Sequence, residues 1–217
     1  MIQSVNLSIT LRHLSARPRA MRSDARARDE AFAMIERDAL ARPVFGYRIL
    51  PIRAVRGQAI DVGDAELDAP ALAAEDGELK AVAAAACTLG SAIQERISAL
   101  FATRRRSLAL ALDTLANELL FRLADRTSAA IRHEARRAAL GMGIEASPGD
   151  PGVPLEQQAG VLALADAAQI GIHTAGAGML SPIKSLSFVV ALGPNLRRRS
   201  APGRCNCCPS RDRCAVK

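Results

Sequence analysis

The sequence predicts an α+β fold, on two observations. Strand-like segments stand towards both ends of the chain with helices grouped between them, instead of the regular strand–helix alternation of a wound parallel sheet. Leucines at 108, 112, 115, 119 and 123 recur at four- and three-residue steps, which is the apolar stripe of one long helix. With 217 residues the chain is long enough to bury a real core, supplied by leucine, alanine, isoleucine and valine.

Taken in order, residues 1–22 carry four arginines and no acidic residue and are expected to form a weakly structured basic extension. Residues 23–41 predict a helix: Ser23 suits the N-cap, acids cluster early and Pro43 stops it. Its apolar positions Ala31, Met34, Ile35 and Ala39 lie near one face. Alternating and β-branched residues between Val44 and Val62 predict two short strands, and Pro51 assigns them to a sheet edge, because proline cannot donate to a ladder. The alanines at 83–86 suit a fully buried strand or a helix, which periodicity does not separate. Helices are expected over 91–103 and 107–141, the second stopped by Gly141 and Gly143. Asp113 and Glu118 fall outside its leucine stripe.

Three prolines and two glycines between residues 148 and 154 exclude a helix or a central strand there. That segment is a shaped loop, the kind of place where ligands are met. An amphipathic helix over 155–169 follows, then strands over 170–174 and 185–192; Phe188-Val189-Val190-Ala191-Leu192 is the clearest strand in the chain.

The net charge of +7 is unevenly placed. Residues 1–22 contribute +4 and residues 195–217 contribute +6, which leaves −3 for the body between them. A mildly acidic body with one tyrosine, Tyr47, and no tryptophan argues against a nucleic-acid partner, since stacking platforms need rings. No run of about 18 apolar residues predicts a membrane-spanning helix, and the N-terminus lacks the apolar stretch of a secretory signal. The expected location is the cytoplasm. The three histidines and the absence of a catalytic triad point to positioning chemistry in place of acid–base work.

The order of short motifs is more specific than any one of them. Thr88-Leu89-Gly90, Asp113 through Glu118, and Leu123-Ala124-Asp125-Arg126 come first. Ser147-Pro148-Gly149, Pro154-Leu155, Gln157 or Gln158, Gly171, Thr174, and Pro182-x-Lys184-Ser185-x-Ser187 follow. Over roughly residues 45–192 this order resembles the activation domain of vitamin B12-dependent methionine synthase. The resemblance implies a twisted, mainly antiparallel sheet with helices packed on it, spanning 23–194 between the extension 1–22 and a basic tail 195–217.

The resemblance also implies a function. The chain would be an accessory protein that docks on a corrinoid-binding methyltransferase or a core methionine synthase. There it would support reductive remethylation with S-adenosylmethionine and an electron-donor protein, the cobalamin being carried by the partner. The cofactor-contacting residues implied are Asp113, Glu118, Ser147, Pro148, Gly149, Asp150, Lys184 and Ser185.

Two positions depart from the family's pattern. Glu145 stands where an arginine is usual, and Asp150 where a tyrosine is usual. An arginine would pair the carboxylate of S-adenosylmethionine in a forked contact, whereas a glutamate repels it by about 1–3 kcal/mol. The alternative reading is therefore a docking or electron-relay module that holds a metal and does not use S-adenosylmethionine.

The candidate metal ligands are Cys205, Cys207, Cys208 and Cys214, four cysteines within ten residues of a chain that has only Cys87 elsewhere. Thiolates at that density suit zinc or an iron–sulfur cluster, and Arg204, Arg211 and Arg213 would stabilise them. A reduced tail without metal is the other reading of the same residues.

Overall fold

A computed structural model describes residues 1–4, 22–63, 65–74 and 78–196. Its elements are β1 (Ile2–Ser4), α1 (Arg22–Arg37), β2 (Val44–Pro51), β3 (Ala54–Arg56), β4 (Ala59–Asp61), β5 (Glu66–Asp68), α2 (Pro70–Ala73) and β6 (Ala81–Thr88). They continue with α3 (Ala92–Ala102), α4 (Arg106–Arg137), β7 (Gly141–Ala146), α5 (Gln158–Leu164), β8 (His173–Thr174), β9 (Leu180–Ser181) and β10 (Ser185–Gly193). Single 3₁₀ turns, Leu155–Gln157 and Ala167–Ile170, flank α5. The strands form a five-stranded sheet in the order β1-β2-β6-β10-β7, a three-stranded meander β3-β4-β5 and the hairpin β8-β9. The α+β class expected from the sequence is the class observed.

The chain divides into two compact units. Among the described residues, the first comprises 1–4, 22–46, 86–127 and 166–186. In it β1 pairs antiparallel with β2, Ile2 opposite Gly46. The leucine stripe of α4 is buried throughout, with Leu112, Leu115 and Leu119 fully enclosed. Ala31, Met34 and Ile35 of α1 and Ile93, Ile97 and Leu100 of α3 supply the rest of its helical core. Arg28 of α1 forks onto Glu118 of α4, with nitrogen–oxygen distances of 2.9 and 2.8 Å.

Among the described residues, the second unit comprises 47–63, 65–74, 78–85, 128–165 and 187–196. Its meander buries Ile60 and Leu67 and leaves the flanking strand residues partly exposed, the period-two pattern of a half-covered sheet. β7 and β10 pair antiparallel, Val189 opposite Ala146, with a bulge between Val190 and Leu192. Phe188 through Leu192 are fully buried, as their unbroken apolar run predicts. Gly141 is obligatory for contact: a Cβ there would lie 1.9 Å from the carbonyl oxygen of Leu196.

Several boundaries differ from the sequence reading. The alanine run is strand, β6, buried along its whole length, as expected of an unbroken apolar run covered on both faces. β2 lies between β1 and β6, β1 pairing among the described residues only with its first three, Val44, Phe45 and Gly46, while β3 stands at the edge of the meander as expected. Pro51 is the last residue of β2, where a missing donor costs the ladder least. Gly141 and Gly143 do not stop α4 but open β7.

The long helices stop by another device. After α1, α3 and α4 the chain turns left-handed at Ala39, Arg104 and Ala139, with φ of 47°, 61° and 56°. The next amide then reaches back five residues, Leu40 to Ile35, Arg105 to Leu100 and Leu140 to Ala135. This is the Schellman closure without its usual glycine. The helix expected over 155–169 is likewise interrupted at Asp166, where φ is 54°, a conformation aspartate tolerates better than most residues.

Two outcomes are expected. Ala39→Gly and Ala139→Gly relieve left-handed strain and raise stability by about 0.5–1 kcal/mol each, measured as a rise in urea midpoint at constant slope. Burial, then the 2.7 Å hydrogen bond that Tyr47 donates to Glu134 and that carboxylate's charge, raise the Tyr47 phenol above its ordinary value of 10.0. The fold favours the neutral phenol, so this contribution is complete below about pH 10 and falls as pH rises through the native value. Tyr47→Phe is expected to cost about 1–3 kcal/mol at pH 7 and to flatten the alkaline decline of stability, both read from denaturation curves.

Candidate functional site

Lys184 immediately precedes β10 and is only 7% exposed. A buried ammonium needs a counter-charge and acceptors, and α4 supplies both from one face. Lys184 Nζ donates to Asp113 Oδ1 at 2.7 Å and to Asn117 Oδ1 at 2.8 Å. Asp113 and Asn117 are one turn apart, at i and i+4, and the Asn117 amide also donates to Asp113 Oδ2 at 3.3 Å. The end of β6 closes the same cluster. Leu89 N donates to the Lys184 carbonyl at 2.9 Å, and Thr88 Oγ1 donates to it at 3.3 Å. Thr88 Oγ1 in turn accepts from Ser185 Oγ at 2.8 Å and from Gly90 N at 3.0 Å.

The structure thus brings Asp113, Lys184 and Ser185 together, joined to Thr88-Leu89-Gly90. Glu118 is not part of that cluster; its carboxylate is taken by Arg28. Asn117, Thr88 and Arg28 were not singled out as site residues. The signal for Asn117 was present in its spacing from Asp113, whereas Arg28 lies 90 positions from Glu118 and no local pattern links them.

In the other unit, Ser147, Pro148, Gly149 and Asp150 form one tight turn that holds itself. Asp150 N donates to the Ser147 carbonyl at 2.9 Å, and Gly149 N donates to the Val153 carbonyl at 2.9 Å. Val153 N returns to the Asp150 carbonyl at 3.0 Å. The Asp150 carboxylate accepts from Ser147 N at 2.7 Å. Gly149 has φ of +94°, and Gly152, at +86°, meets α2 so closely that a Cβ would lie 2.5 Å from the Ala71 methyl. Gly149, Asp150 and Pro151 face solvent, so the turn stands at the surface.

The two glutamines that follow Pro154-Leu155 have different partners. Gln158 is buried and donates to Ser187 Oγ at 2.6 Å, while Gln157 Oε1 accepts from Asp68 N at 3.3 Å. Glu145, in the position where the motif usually has arginine, accepts a 2.6 Å bond from Ser128 Oγ.

In the hairpin β8-β9, His173 is exposed and pairs in register with Ser181. Met179 and Ile183 beside it are each 64% exposed. Among the described residues no group of three His, Cys, Asp or Glu side chains could hold a metal ion. Cys205, Cys207, Cys208 and Cys214 lie outside the described residues. Cys87 is buried in β6. No helix among the described residues is long and apolar enough to cross a membrane.

Asp113→Leu leaves the Lys184 ammonium with a neutral amide in place of its counter-charge. We expect a loss of about 2–3 kcal/mol in urea denaturation. The double variant Asp113→Leu/Lys184→Met should recover most of it, because no buried charge remains unpaired.

No family model matches the chain, and no curated protein matches it in sequence. Among solved structures, it is similar to the crystal structure of the MetH reactivation domain bound to AdoHcy. The TM-score is 0.62 at 16% identity, over 91% of this chain and 80% of that one. The likeness that the ordered motifs carry in sequence therefore holds in three dimensions: this chain has the fold of the MetH reactivation domain.

Proposed function

We propose that the chain is an accessory protein for a cobalamin-dependent methyltransferase of the methionine synthase kind. It docks on the corrinoid-carrying partner and supports that partner's reductive reactivation, with an electron-donor protein supplying the electron. The likeness in fold to the MetH reactivation domain, over 91% of the chain, carries this reading. The self-braced turn Ser147–Asp150 adds to it. Gly149 presents backbone without a side chain at the surface, where a flat ligand approaches closely.

S-adenosylmethionine is the methyl donor that goes with this role, and AdoHcy in the similar structure is its demethylated product. The named side chains here do not suit that donor. Its carboxylate calls for a cation, yet Lys184 is engaged by Asp113 and Asn117. The arginine position holds Glu145, which bonds to Ser128. Glu118, another of the implied contact residues, is paired with Arg28. These observations favour the second reading, a docking or electron-relay module that leaves the methyl donor to others, with zinc or an iron–sulfur cluster at Cys205, Cys207, Cys208 and Cys214.

The test is complementation. A cobalamin-loaded methionine synthase lacking its own reactivation domain is poised in the cob(II)alamin state with a one-electron donor, and its visible spectrum is followed. Adding this chain should shift the spectrum saturably; an unchanged spectrum at all ratios refutes the docking role. Calorimetry with S-adenosylmethionine alone separates the two readings. Weak binding by the parent, improved about tenfold or more by Glu145→Arg through a forked carboxylate contact, supports the second reading. Micromolar binding by the parent establishes the first.

A further inference from the structure

A groove of about 300 Å³ opens in the first unit where the corner between α3 and α4 meets α1. It is lined by Arg26, Glu30, Arg104, Arg105, Arg106 and Ser107. Four guanidinium groups and one carboxylate give it a formal charge of +3, on a body whose sum between the two basic ends is −3. Elsewhere in this unit Arg28 pairs with Glu118, and Arg37 and Arg96 share Asp38, while the isolated Arg42 and Arg126 make no ion pair among the described residues. In the groove only Arg105 has one, Glu30. Among the described residues Arg26, Arg104 and Arg106 make no ion pair.

We propose that this groove binds a small phosphorylated molecule through a phosphate or diphosphate group. Like charges gathered at one opening repel one another, and an anion between them reverses the sign of that interaction. Guanidinium forks match phosphate oxygens in pairs, which lysines do not. The corner supplies more than side chains. α4 begins at Arg106 and runs for 32 residues, so its first amides have no carbonyl within the helix and its dipole favours an anion there. Arg104 and Arg106 flank Arg105 across the left-handed turn at Arg104, so three consecutive arginines line one opening. The volume lies at the lower end of the range for small-molecule sites, about 300–1,000 Å³. The site is independent of the corrinoid reading.

The experiment is calorimetric titration of the full chain with inorganic diphosphate, ionic strength being held constant with sodium chloride. Saturable one-site binding is expected. Arg104→Gln/Arg106→Gln should weaken it at least tenfold with an unchanged thermal midpoint, while Arg48→Gln, an exposed arginine of the other unit, leaves it unaltered. The proposal is overturned if diphosphate gives no saturable heat, or if the double variant titrates like the parent. It is also overturned if polyglutamate binds and diphosphate does not, because the groove then serves an acidic protein surface.

Discussion

An ammonium buried at Lys184 constrains much of the first unit. Removing that charge from water is costly unless an opposite charge and further acceptors surround it. Asp113 and Asn117 meet the requirement only when α4 has the correct rotation, so that positions i and i+4 face the start of β10. The Lys184 carbonyl is bound by Leu89 N and Thr88 Oγ1, which fixes the end of β6 against the same point. One side chain thereby sets the register of a helix against two strand ends. The exposed ion pairs of the molecule impose nothing comparable, since solvent offers their charges equal alternatives.

The motif string also has a structural meaning. Asp113, Lys184 and Ser185, which the resemblance implies as cofactor-contacting residues, are joined to one another and to Thr88-Leu89-Gly90 by hydrogen bonds. Gln158 and Ser187 form a second buried polar joint in the other unit. Polar residues held in a fixed order across a long stretch of chain are what a fold needs to close such joints. They therefore report architecture first, and the likeness to the MetH reactivation domain is a likeness of architecture.

The class of fold was legible because it depends on periodicities that solvent exposure writes directly into sequence. Every leucine of the α4 stripe is buried, and the run from Phe188 to Leu192 is a core strand. Helix ends were less legible. Left-handed Ala39, Arg104 and Ala139 carry no glycine signal, and Gly141, which does, serves instead the close approach of the Leu196 carbonyl. Pro51 was partly informative: a proline forbids a donor at one position, and the sheet order places β2 between β1 and β6 but β3 at an edge. Among the site residues the turn Ser147–Asp150 was readable from proline and glycine alone. The capture of Glu118 by Arg28 was not, because the partners are brought together by tertiary structure.

The turn at Ser147–Val153 carries its own bracing: three main-chain bonds and the Asp150 carboxylate hold it without help from a ligand. Its shape is thus settled during folding, and whatever meets it encounters a finished surface. A contact made there would need no ordering step within the turn itself.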